Sequence, residues 1–255
     1  MAEQIRTEIT TDWIRLDDGA DAYLATPAVG QPRSAIVAGA EMFGLTAHAL
    51  DVCDRLARAG YVTVAPDFYW RESRLVSLGY DDAGRAEGRR LMHGLDRDGV
   101  LADVSAALDA AAERAGGGGR GMVGLSMAGH IAVLAATRIP LDVAVTFYGG
   151  WTLDGGIPLA EPDPPLAHSD AIAANGTFVL GFVGDQDFLV TPDEWQAIDE
   201  RLTSTGVQHE LISYPGAAHG FANEDRPETY DKAATDDAWQ RVLQVLGERA
   251  SRQPT

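Results

Sequence analysis

Three residues far apart in the chain, Ser126, Asp187 and His219, are of the types that together activate an alcohol for attack on a carbonyl. A serine hydroxyl stays protonated near neutral pH and is a weak nucleophile. It needs an imidazole to take its proton and a carboxylate to orient that imidazole. Ser126 sits in Gly121-Met-Val-Gly-Leu-Ser126-Met-Ala-Gly129-His-Ile-Ala-Val, where a strand-like run passes into a helical one through Gly-x-Ser-x-Ala-Gly. A serine at such a turn is lifted clear of the sheet, and the small Gly124, Ala128 and Gly129 let turn and helix pack closely. The plainer reading is a helix N-cap serine. The strand before it and the helix after it favour the nucleophile, with the Met127 N–H aimed from a helix start at any oxyanion that forms.

The acid and base follow in chain order, each after another strand-like run. Val179-Leu-Gly-Phe-Val-Gly184 leads to Asp185-Gln-Asp187, and Ile212-Ser-Tyr-Pro-Gly-Ala-Ala leads to His219. Spacing from Gly184 favours Asp187 as the acid and leaves Asp185 as a loop-capping residue. His93, His130, His168 and His209 read as structural, and His48 as a helix-start or pocket-rim residue.

Positioning these groups requires several strands ending on one edge. Strand-length apolar runs at 34–38, 62–65, 121–124, 143–147, 177–182 and 209–214 alternate with helical stretches at 48–58, 81–92, 99–115, 127–137, 192–204 and 229–248. That alternation predicts an α/β fold, a mostly parallel sheet with helices on both faces, each connection long enough for a right-handed crossover. Residues 8–25 read as an antiparallel edge pair turning at Asp17-Asp18-Gly19. Gly116 to Gly119 lack the Lys-Ser/Thr of a phosphate loop and read as a flexible turn. The Gly- and Pro-rich residues 154–165 read as an irregular excursion, and Asn175-Gly176-Thr177 as an accidental glycosylation sequon.

Composition narrows the function classes. With 255 residues, 45% hydrophobic and 23% charged, the chain can bury one substantial core, and a single domain over 1–255 is expected. No run approaches the roughly 20 apolar residues of a membrane helix, and the start MAEQIRTEITTDW has neither the basic nor the apolar part of a secretory signal, so a cytoplasmic location is expected. The net charge of -18 repels phosphate backbones and anionic lipid, arguing against nucleic acid or membrane partners. Cys53 is the one cysteine, so no internal disulfide is available, and no Cys/His cluster has metal-ligand spacing. Chemistry without metal or cofactor is expected, in a monomer or homodimer.

Taken together, these motifs make the chain resemble the dienelactone hydrolase family of the α/β-hydrolase fold. The likeness rests on Ala40-Glu41-Met-Phe-Gly44, Leu56-Ala-Arg-Ala-Gly-Tyr61-Val-Thr-Val-Ala-Pro66-Asp67-Phe-Tyr69, the Ser126 turn, Phe147-Tyr148-Gly149-Gly150, Gly184-Asp-Gln-Asp187 and Tyr214-Pro-Gly-Ala-Ala-His219-Gly-Phe221. The resemblance implies a compact hydrolase with no large lid domain, acting without a cofactor on a small ester or lactone. It also implies that Glu41 lies beside the nucleophile and that the Met42 N–H is the second oxyanion donor. Two departures stand out. Ser126 replaces the cysteine of the dienelactone-cleaving members, and Asn223 stands where the second of two carboxylate-holding arginines is expected. Arg85 matches the first, with Arg89 one turn further. Losing a planar bidentate cation weakens the case for a carboxylate-bearing substrate. Trp70, Tyr148 and Trp151 are candidate pocket aromatics that read equally well as core.

The leading expectation is therefore ester or lactone hydrolysis through an acyl-enzyme. An alternative is a biosynthetic enzyme using the same site for cyclisation, acyl transfer or rearrangement. A non-catalytic binding protein on the same fold is the third reading, against which the intact Ser126, Asp187 and His219 set argues.

Overall fold

The computed structural model describes residues 8–250. Most of the stretch read above for a leader, residues 1–7, lies outside them, as do the last five residues. Eight strands form one sheet: β1 Ile9–Arg15, β2 Asp21–Pro27, β3 Ala35–Gly39, β4 Val62–Pro66, β5 Arg120–Leu125, β6 Val143–Phe147, β7 Phe178–Gly184 and β8 His209–Tyr214. Their spatial order is β1-β2-β4-β3-β5-β6-β7-β8. The β1–β2 hairpin and the β2–β4 pairing are antiparallel, and every later pairing is parallel.

Side chains alternate across a strand, and here the alternation divides the interior into two cores. Ala35, Val37, Met122, Val179 and Val183 point into one, where Val104, Leu108 and Ile131 of the covering helices meet them. Ile36, Ala38, Val123, Leu125, Leu180 and Phe182 point into the other, against Val52, Leu56, Trp239 and Val242. The first face is covered mainly by α3 Arg97–Ala115 and α4 Met127–Ala136, with α2 Asp82–Met92 and α6 Pro192–Ser204 toward its ends. The second is covered by α1 Ala47–Arg58 and α7 Lys232–Val245. Helix starts are set by side chains that accept orphan backbone N–H groups: Thr46 from Ala49, Asp96 from Gly99, Thr191 from Glu194 and Asp231 from Ala234.

The structure adds what the alternation did not foresee. A seven-residue helix, α5 Ser169–Asn175, preceded by a 3-10 turn over Pro165–His168, lies between β6 and β7. Two turns of helix are too short to print a 3.6-residue period, and the stop comes from Gly176 in the left-handed region (φ 70°). The last helix starts three residues later than expected, at the Asp231 cap, and closes in a π-helical turn at Leu246–Ala250. The four-glycine run is open at Gly116 and Gly117 but close-packed at Gly118 and Gly119. A Cβ on Gly118 would lie 2.2 Å from the Arg33 carbonyl oxygen, and one on Gly119 2.2 Å from that of Ala250. Among the described residues no helix is long and apolar enough to cross a membrane.

Candidate active site

Strands β3, β5, β6, β7 and β8 run parallel, so the segments leaving them emerge on one edge of the sheet, where open α/β sheets place their ligands. Each carries one part of the site.

Ser126 follows β5 and precedes α4 with φ 52° and ψ -111°, a backbone conformation that non-glycine residues rarely hold. Its neighbours hold it there: its N–H donates to the Phe147 carbonyl at 2.9 Å and its carbonyl accepts from the His130 N–H at 3.1 Å. The turn closes tightly because a Cβ on Gly124 would sit 1.9 Å from the Ala128 carbonyl oxygen, and one on Gly39 2.4 Å from the Ala128 Cβ. Ser126 makes no side-chain cap for the helix that follows. Its Oγ lies instead 3.0 Å from His219 Nε2.

His219 arrives on the turn after β8, and its Nδ1 lies 2.9 Å from Asp187 Oδ2 and 3.1 Å from Oδ1. Both residues are buried, with the Asp187 side chain fully so. Asp187 Oδ1 also accepts the N–H groups of Leu189 and Val190 at 2.7 and 3.0 Å, which fixes the carboxylate and folds the loop around it. Asp185 has a different task. Its Oδ1 accepts the Gly216 N–H at 2.7 Å, and the Gln186 N–H donates to the Ala217 carbonyl, so the acid-bearing and histidine-bearing loops are laced together. Gly184 permits this approach, since a Cβ there would meet the Ala217 oxygen at 2.0 Å.

Met127 is the first residue of α4, so its N–H has no acceptor within the helix. Met42 lies in the turn after β3, closed by the Gly44 N–H on the Glu41 carbonyl, and strapped to the segment ending α2's approach by Leu45 to Val76 and Leu78 to Phe43 hydrogen bonds. The buried Tyr69 joins the two: its hydroxyl donates to the Met42 carbonyl at 2.9 Å and lies 3.2 Å from Met127 Sδ.

Glu41 is buried and fully engaged. Its Oε1 accepts from the Tyr148 hydroxyl at 3.1 Å and its Oε2 from the Asn223 amide at 3.0 Å, while Arg226 Nη1 stands 3.7 Å away. Of the residues expected to meet substrate, Glu41, Tyr148 and Asn223 are thus brought together with one another. Tyr148, with φ 43°, also lays its ring edge-on to the His219 imidazole at 4.9 Å. Burial, with Glu41 adding to it, pushes its phenol far above the ordinary value, so it remains a donor. His48 lines a small pocket with Glu41, Thr46 and Asn223, and burial holds its imidazole below the usual range.

The remaining pocket candidates go elsewhere. Arg85 reaches back along its own helix to Asp82 at 3.6 Å, and Arg89 is exposed. Trp70 donates its indole N–H to the buried Asp103 and lies beneath the guanidinium groups of Arg71 and Arg74. Trp151, with φ 56°, is half-buried and packs over Gly156. Two residues near the site escaped sequence reasoning. Arg226 is seven positions beyond the histidine and gains access because Gly220 has no side chain: a Cβ there would lie 2.4 Å from its Nη1. Phe188, directly after Asp187, stands 5.1 Å from the His219 ring and is 80% exposed. The only local signal was an aromatic residue at a strand-end loop.

Known proteins agree with this architecture. The model of the dienelactone hydrolase family matches residues 20–250. A Synechocystis sp. protein described as "Putative carboxymethylenebutenolidase" is 34% identical over 230 residues, covering 88% of this chain and 89% of its own length. A protein of the same description from Escherichia coli (strain K12) is 32% identical over 234 residues, covering 89% and 82%. A crystal structure from Klebsiella pneumoniae subsp. pneumoniae, described as a "Putative Dienelactone Hydrolase", superposes with a TM-score of 0.83 at 27% identity, covering 94% of this chain and 99% of that one. With a family match across nearly all the described residues and relatives above 30% identity on most of their length, the chain belongs to the dienelactone hydrolase family.

Proposed function

We propose that the protein hydrolyses a small ester or lactone through an acyl-enzyme, with Ser126 as nucleophile, His219 as general base and acid, and Asp187 as the carboxylate that orients the imidazole. The observation that carries this reading is the unbroken chain from Ser126 Oγ through His219 to Asp187, 3.0 Å at one link and 2.9 Å at the other. His219 Nε2 takes the serine proton as Oγ attacks the carbonyl carbon, and the tetrahedral oxyanion is met by the N–H groups of Met127 and Met42. Collapse breaks the bond to the alcohol oxygen, which receives the proton from His219. Water then attacks the acyl carbon as its proton passes to the same nitrogen. Collapse of the second tetrahedral intermediate breaks the acyl–Oγ bond while His219 returns the proton to Oγ, which releases the acid and the free serine. The strained Ser126 backbone supports the reading, since such conformations persist where the surrounding structure over-determines them. A cytoplasmic setting belongs to the same proposal, supported by a chain whose single, buried cysteine needs no oxidising compartment.

The test is active-site labelling. A fluorophosphonate should form an adduct on Ser126 at one equivalent, and p-nitrophenyl acetate should show a burst followed by steady turnover. Both signals should vanish in Ser126→Ala. A wild-type protein that neither labels nor turns over activated esters refutes the proposal.

A further inference from the structure

The imidazole of His219 has two aromatic neighbours of opposite character. Tyr148 is fully buried and its hydroxyl is committed to Glu41. Phe188 is 80% exposed, although a phenylalanine side chain offers one of the larger gains available from burial. Its exposure is built in. The carboxylate of Asp187 accepts the backbone N–H groups of Leu189 and Val190, so the loop holding Phe188 is pinned on its C-terminal side by the residue next to it. An apolar ring is thereby held in solvent 5.1 Å from the group that serves the half-buried Ser126.

The charges around the site are equally specific. Arg226 is neutralised by Glu41 at 3.7 Å and Glu228 at 3.9 Å. The Asn223 amide is spent on Glu41 and on the Asp225 N–H, and Arg85 is turned to Asp82. On the Asp187 side the neighbours are acidic: burial raises the Glu194 carboxyl above its usual range, and Asp154 and Asp187 add to it. A substrate carboxylate entering here meets acids and cations that already have partners, on a protein whose net charge is -18.

Resting on the proposed serine-hydrolase reading, we infer that the substrates are uncharged esters bearing an aromatic ring, and that Phe188 determines this specificity by stacking against that ring. The offset or edge-to-face geometry that aromatic pairs prefer, at centroid separations of about 4.5–7 Å, suits a ring beside the imidazole while the ester carbonyl faces Ser126.

Two matched ester pairs test the inference. Benzyl acetate and n-propyl acetate share an acyl group and a primary alkoxide leaving group. Phe188→Ala should lower the ratio of their kcat/KM values about 5- to 10-fold. Phe188→Leu, which keeps apolar cover over the Asp187–His219 pair, should still lower it about threefold, with Ser126 still labelled by a fluorophosphonate to one equivalent. Wild-type enzyme should favour benzyl acetate over 4-(acetoxymethyl)benzoate, its carboxylate analogue, by about tenfold or more. If labelling is intact and Phe188→Ala slows both members of the first pair equally, Phe188 only screens the imidazole and the inference is overturned while the hydrolase reading stands. Equal or better turnover of the carboxylate ester overturns it likewise. Failure of Ser126 to label, with no ester consumed, overturns both.

Discussion

Two carboxylates stand at the end of β7, and their hydrogen-bond partners separate their tasks. Asp187 faces the imidazole, whereas Asp185 accepts the Gly216 N–H across the two loops. In Asp187→Asn the amide can still accept from Leu189 and Val190, but it presents an N–H to His219 Nδ1 and so favours the wrong tautomer. Turnover of an activated ester should fall by roughly 10³–10⁴. Asp185→Asn keeps an oxygen for Gly216 and should stay within about threefold of wild type. Equal losses from the two substitutions would reassign the acid. Tyr69 offers a subtler test at the same scale. Its hydroxyl fixes the Met42 peptide through the carbonyl and touches Met127, so it positions the two segments whose N–H groups are proposed to meet the oxyanion. Removing one oxyanion donor costs about 10²–10³ in kcat, and loosening one by Tyr69→Phe should cost about tenfold in kcat with KM nearly unchanged. A change confined to KM would place Tyr69 in substrate binding instead.

The turn joining β5 to α4 and the loop after β3 are the elements that place these side chains, and both depend on close backbone approach. Gly124→Ala puts a methyl group 1.9 Å from the Ala128 carbonyl oxygen, a clash with backbone that no rotamer relieves. Overpacking of this kind costs about 1–3 kcal/mol, so Tm should fall by several degrees and Ser126 labelling should slow in the fraction that remains folded. A variant with wild-type Tm and labelling would show that the turn has slack. Glu41→Ala tests the other loop. It removes the acceptor shared by Tyr148 and Asn223 and leaves the largely buried Arg226 facing only Glu228. Stranding a buried charge costs roughly 3 kcal/mol or more, or ~6–12 °C for a chain of this size, whereas Glu41→Gln should lose less because it keeps an acceptor. An unchanged Tm in thermal unfolding of Glu41→Ala would mean that the cluster contributes nothing to stability. These elements also show what could be read in advance. Strands β6 and β8 coincide with the apolar runs at 143–147 and 209–214, because the whole parallel strand is buried or flanked by turn residues and its ends are abrupt. The Ser126, Asp187 and His219 constellation was legible for a related reason: each residue lies within a few positions of a strand end. The Glu41 cluster was not. Whether a buried carboxylate meets a substrate or an arginine is decided by Arg226, 185 residues away, which enters through the space that Gly220 leaves open. α5 was equally invisible, being shorter than the period that would reveal it.

Across the whole molecule, stability toward acid should depend on histidines the proposed chemistry does not use. His130 is fully buried on α4, its Nδ1 3.0 Å from the Gly150 carbonyl, and burial pushes its pKa down to about 4. His48, also buried, is lowered for the same reason. In the unfolded chain a histidine titrates near 6.5. Above that pH both states hold the neutral ring and there is no difference between them. Below it the unfolded state gains a proton that the folded state refuses, so stability is lost as pH falls from about 6.5 toward 4, and His130 adds no further loss once its folded pKa is passed. The His130 share of that loss is roughly 3 kcal/mol at its limit. Between about pH 6.5 and 5 carboxylates with ordinary pKa values near 4 remain ionised, but burial raises Asp103 to about 7 and lifts Asp67 and Glu194 above the usual range. The folded state takes up protons on these groups before the unfolded chain does and gains stability as pH falls. The His130 share is therefore read as a difference between wild type and a His130 variant. Urea unfolding of wild type and His130→Asn at pH 8, 6.5, 5.5 and 5, at constant m-value, measures that difference. His130→Asn, which can keep a donor to Gly150, should be less stable at pH 8, and on going to pH 5 its free energy should fall less, or rise more, than that of wild type. If the free energies of the variant and the wild type change in parallel over that interval, the proton uptake lies elsewhere and the buried ring of α4 has no part in the acid sensitivity.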